Sequence, residues 1–154
     1  MNFESMTDFL IKITPGIVAA IVASRLAVNK FYKERNWDRK EKAYTEIINA
    51  LYDMIKYFRI QKEDYGQGTG LSENKEAKLY VDYVNAASSL SRATDIGSFY
   101  ISSKANMVLV ELRNRKLLDF REEPRFEIFE SEYQAHQLAL DKFIGVAQKD
   151  LKIK

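Results

Sequence analysis

The chain has 154 residues, 46% apolar and 30% charged, a balance that excludes an intrinsically disordered chain and suits one packed domain. Its 24 basic and 22 acidic residues leave a net charge of +2, without the strongly basic footprint of a nucleic-acid-binding domain. Cysteine is absent, which excludes disulfides, thiol nucleophiles and cysteine-based zinc sites.

The first element in chain order is the apolar run from Phe9 to Val28, preceded by a short tail, residues 1–8. As a helix this run spans roughly 30 Å, the thickness of a bilayer's hydrocarbon core. Lys12 and Arg25 interrupt it, each near an end, where long basic side chains reach the headgroups. Pro15 falls in the opening turns, where a missing N–H matters least. The tail carries Glu4 and Asp8 in place of the basic residues that open a secretory signal. The run therefore reads as a transmembrane helix, and membrane lipid as its surroundings. A buried core helix is the competing reading, because Ile13–Ala23 alone is clean of charge.

The flanks favour the membrane. Lys30, Lys33, Arg35, Arg39, Lys40 and Lys42 follow the run closely, whereas only Lys12 lies near its start. The positive-inside rule then puts the N-terminus outside and the rest of the chain in the cytoplasm of a bacterial cell, at the inner membrane. Phe31, Tyr32 and Trp37, together with Lys30, Lys33 and Arg35, are the expected interface anchors. Within the run, Gly16, Ala20 and Ser24 recur every four residues beside Ala19, Ala23 and Ala27. Such a small-residue face lets spans pack closely, so a homo-oligomer or docking to another membrane protein is expected. Arg25, on the opposite side, is an intramembrane charge and a functional candidate for that reason.

Residues 29–154 read as a cytoplasmic helical bundle that includes a stalk continuing from the anchor. Trp37, Tyr44, Leu51 and Phe58 repeat every seven residues, joined by Ile47, Ile48, Met54 and Ile55, which predicts a helix over about 30–63. The polar, glycine-rich stretch from Tyr65 to Ser72 ends it. Ser72 caps a second helix, about 73–96, with Leu79, Tyr80, Tyr83, Ala86, Ala87, Leu90 and Ala93 inward and Gly97 as a stop. Ser102 or Ser103 caps a third, about 103–118, using Ala105, Val108, Leu109 and Leu112. Asp119 and Pro124 compete to start the last, about 124–152, which carries Phe126, Phe129, Tyr133, His136, Leu140, Phe143, Ile144, Ala147 and Leu151. No stretch alternates at period two, so the fold class is all-α: an N-terminal transmembrane helix, then an antiparallel bundle of about four helices.

Trp37-x-x-Lys40-x-x-Ala43-Tyr44 opens the first bundle helix. In this it resembles a group of bacterial single-pass membrane proteins that pair an N-terminal span with a Trp-x-x-Lys-x-x-Ala-Tyr helix. The resemblance runs from Thr14 to Met54, and Arg25 departs from it where an apolar or aromatic residue is expected. It implies topology and carries no chemistry.

Nothing in the sequence assembles a catalytic or cofactor site. His136 is the lone histidine and sits on an apolar stripe, four residues after Glu132, so a hydrogen-bonded core residue is expected and no metal site. Gly66-Gln-Gly-Thr-Gly70 lacks the Lys-Ser/Thr of a phosphate loop. The serines at Ser88, Ser89, Ser91, Ser98, Ser102 and Ser103 have no base but that histidine. Tyr52, Tyr57, Tyr65 and Tyr100 fall off the stripes and form a candidate partner patch. The expected function is a membrane-anchored, non-enzymatic interaction or adaptor protein that holds or senses an unknown cytoplasmic protein. The alternative is a membrane-perturbing, holin-like or defence-like effector that oligomerises through its span.

Overall fold

Apolar residues recur every three or four positions from Tyr44 onward, which collects them on one side of a helix, and the backbone is helical where they do. The computed structural model describes residues 3–68, 70–96 and 99–152, with side chains from Ala23 onward. Its helices are α1 (Phe3–Gln67), α2 (Glu73–Ile96), α3 (Ser103–Arg113) and α4 (Arg125–Asp150), and the described residues contain no strand. The chain divides into two compact units, Met1–Asp38 and Arg39–Lys154.

In the first unit every described side chain, Ala23 to Asp38, is exposed. Leu26, Val28, Phe31 and Tyr32 are 64%, 48%, 57% and 61% exposed. Trp37, expected to open the buried stripe of the first bundle helix, is 47% exposed instead. The buried stripe starts one heptad later, at Tyr44, the first α1 residue of the core. Among the described residues no helix is long and apolar enough to cross a membrane. Most of the Phe9–Val28 side chains lie outside the described residues, Gly16, Ala19 and Ala20 among them.

The second unit is an antiparallel bundle. Along α1 the partners on α4 run backward: Tyr44 meets Phe143 (ring centroids 5.4 Å), Phe58 meets His136 (4.8 Å), and Lys62 pairs with Glu130 (2.9 Å). Tyr57 stacks on Tyr83 of α2 at 4.3 Å, and Glu111 of α3 pairs with Lys142 of α4 at 3.2 Å. Tyr44, Leu51 and Phe58 of α1, Leu90 of α2, Leu109 of α3, and Leu140 and Phe143 of α4 anchor one continuous core.

Local chemistry fixes the helix ends. Gly68 and Gly70 adopt φ of +63° and +65°, and the Gly68 N–H donates to the Asp64 carbonyl at 2.8 Å, closing α1 with a left-handed cap. The Ser72 carbonyl accepts the Glu76 N–H at 3.0 Å to open α2. At α3 the Ser102 hydroxyl accepts the Ala105 N–H at 3.2 Å. α3 then stops at Arg113, short of the expected 118. Past Asn114, Arg115 turns back to donate to the Leu112 carbonyl and pair with Glu132, while Leu117 is 63% exposed and offers no inward face. Pro124 wins the contest for the α4 start, and Asp119 instead closes a turn through its carboxylate to the Arg121 N–H, 2.9 Å. Two residues expected inward are exposed, Tyr80 (55%), beside buried Leu79 at the edge of its stripe, and Phe126 (40%), in the first turn of α4.

Candidate functional site

Ala43 and Ala50 on α1, and Ala86 and Ala93 on α2, are each one heptad apart and share the face along which the two helices meet. Where longer side chains would fill the seam, these alanines leave an open groove of about 830 Å³ within the second unit. Ile47, buried, completes the apolar floor. The rims are charged and polarised. Arg39, Lys42 and Arg92 line the end nearest Ile96 and Tyr100, whereas Asp53 and Asp82 line the other, with Asn49, Asn85 and Ser89 between. Lys42 makes a loose, exposed pair with Glu46 at 3.9 Å. Among the described residues, Arg39, Arg92, Asp53 and Asp82 have no ion-pair or hydrogen-bond partner. Four unpaired charges around an apolar floor make this a surface suited to recognition.

Two buried polar clusters serve structure. The Tyr44 hydroxyl donates to Asp150 and accepts the Ser102 N–H at 3.1 Å, and the Lys40 ammonium donates to the Asp150 carbonyl at 3.1 Å. Burial, then the bond to Asp150, raises the Tyr44 pKa. Burial alone would raise that of Asp150 too, but hydrogen bonds from Ser102 and Tyr44, with Lys40 and Lys104 nearby, outweigh it and hold the carboxyl low. In the second cluster His136 is 1% exposed, its Nδ1–H donating to the Glu132 carbonyl at 2.7 Å. Glu132 takes a two-pronged contact from Arg115. Burial, reinforced by the Arg115 charge, lowers the His136 pKa, so the imidazole is neutral. It is tied into the core, with no nucleophile beside it. Among the described residues no three of His, Asp and Glu gather as a metal site would require.

The four candidate tyrosines are not brought together. Tyr57 is half-buried against Phe58, Tyr83 and Phe129. Tyr65 stacks on Phe129 at 5.4 Å with the Arg125 guanidinium over its ring. Tyr52 and Tyr100 are 54% and 44% exposed and share no ring contact with that cluster among the described residues, Tyr100 lining the groove instead. Of the residues expected in a span or at its interface, Ala23, Ser24, Arg25 and Ala27 are exposed, as are Lys30, Phe31, Tyr32, Lys33, Arg35 and Trp37. The groove itself escaped sequence reasoning. Its one local signal was the pair of alanine heptads, Ala43–Ala50 and Ala86–Ala93, which on paper merely continue the core stripes. No protein-family model matches the sequence, and no curated protein or solved structure matches the chain.

Proposed function

We propose that this protein is a membrane-anchored helical adaptor without catalytic activity. Phe9–Val28 crosses the bacterial inner membrane with the N-terminus outside, and the unit Arg39–Lys154 engages a cytoplasmic partner through the α1–α2 groove. The observation that carries the anchoring half is the row of exposed apolar and aromatic side chains in the first unit. Leu26, Val28, Phe31, Tyr32 and Trp37 are between 47% and 64% exposed, a display that water does not favour but a lipid interface does. Lys30, Lys33 and Arg35, exposed among them, suit anionic headgroups. Gly16, Ala20 and Ser24 supply the face by which spans associate. A membrane-bound adaptor acts by effective concentration: a partner held on the same surface meets other membrane proteins far more often than in solution.

Fractionation of cells expressing the C-terminally tagged full chain, followed by a carbonate wash, tests the anchor. The full chain is expected to stay in the pellet and residues 29–154 to remain soluble. A full chain released by carbonate would contradict the reading.

A further inference from the structure

The groove between α1 and α2 has a direction as well as a position, and this narrows what it can hold. This inference rests on the groove being an interaction surface, as proposed above. From Arg39 to Asp53 the α1 rim is about 21 Å long at helical rise, the length of a helix of about four turns. The floor is made of alanines and Ile47, so a helix whose facing side chains are small can lie close against it. The unpaired charges do the sorting: Arg39 and Arg92 at one end, Asp53 and Asp82 at the other. A helix carries about half a positive charge at its N-terminus and half a negative charge at its C-terminus.

We propose that the groove binds a single helix of a partner protein, about four turns long with a small-residue face, lying parallel to α2. Its N-terminal turn, bearing a Lys or Arg, sits between Asp53 and Asp82. Its C-terminal turn, bearing an Asp or Glu, sits between Arg39 and Arg92. The reverse orientation sets both the dipole and the side-chain charges against the rims. The rim charges flank the apolar floor at its edges, in contact with water, so their share of the binding weakens as salt rises.

The probe is a pair of fluorescent, hydrocarbon-stapled helices of about sixteen residues, alanine-rich on one face. One carries lysines in its first turn and glutamates in its last, and the other has them exchanged. Stapling equalises their helicity, so any difference reports the groove. Each is titrated by anisotropy against the full chain in detergent micelles. The first peptide is expected to bind about tenfold more tightly, with the difference collapsing near 0.5 M salt. Reversing the rim by Asp53→Lys, Asp82→Lys, Arg39→Glu and Arg92→Glu is expected to invert the preference. Arg92→Glu alone is expected to reduce it, should the fourfold variant fold poorly by circular dichroism. Equal binding of both peptides overturns the orientation but leaves the groove an interaction surface, whereas binding of neither overturns both. Sedimentation showing a dimer that the charge reversal dissolves overturns the proposal in favour of a second copy.

Discussion

His136 illustrates how a single residue reports its surroundings. It is buried between α1 and α4, with Phe58 on one side and the Glu132–Arg115 pair on the other. Its apolar-stripe position was legible in the sequence, but its partners were not. Glu132 four residues before it suggested a side-chain pair, whereas the hydrogen bond goes to the Glu132 carbonyl and the carboxylate is turned to Arg115. Arg115 lies past the end of α3 and becomes a neighbour only through the chain reversal at Asn114. Because burial lowers the folded-state pKa of His136 below its ordinary 6.5, the unfolded chain takes up a proton first as pH falls. Its stabilising contribution is thus complete above that value and is lost as pH drops through 6.5 toward the folded-state pKa. Urea unfolding across this range should show stability declining on the acid side, and His136→Gln should flatten the decline. A slope unchanged by the substitution would place the pH dependence elsewhere.

At the scale of elements, sequence served well where a local rule operates. Ser102 caps α3 through its own hydroxyl, Pro124 precedes α4, and the four inward residues of α3 are all buried. It served less well where packing decides: Trp37, Tyr80 and Phe126 continue their periodic stripes but are 47%, 55% and 40% exposed. Two glycines separate local from tertiary effects. Gly68 needs its positive φ of +63°, so Gly68→Ala should cost about 1–2 kcal/mol by forcing a side chain into the left-handed region. Gly145 lies inside α4 with nothing within 4 Å of an added Cβ, so Gly145→Ala should stabilise the helix by about 0.5–1 kcal/mol. Thermal melts of the two variants should move in opposite directions. A destabilised Gly145→Ala would mean that α4 needs the glycine for a contact outside this chain.

For the whole molecule, composition and periodicity were enough to read an all-α chain, and its bundle of helices is present, ending with α4 at Asp150. The groove was hidden because its rims come from residues some forty positions apart, Asp53 and Arg92 among them, which only the antiparallel pairing of α1 and α2 brings together. The proposed topology, in which Phe9–Val28 crosses the membrane and leaves the groove on the cytoplasmic side, is directly testable because the sequence contains no cysteine. Single cysteines at Ser5, ahead of the span, and at Ser89, exposed on the groove, can be probed with a membrane-impermeant maleimide on intact spheroplasts and after lysis. With that topology Ser5→Cys is labelled before lysis and Ser89→Cys only after it. Labelling of Ser89→Cys on intact spheroplasts, or protection of both sites until lysis, would contradict it.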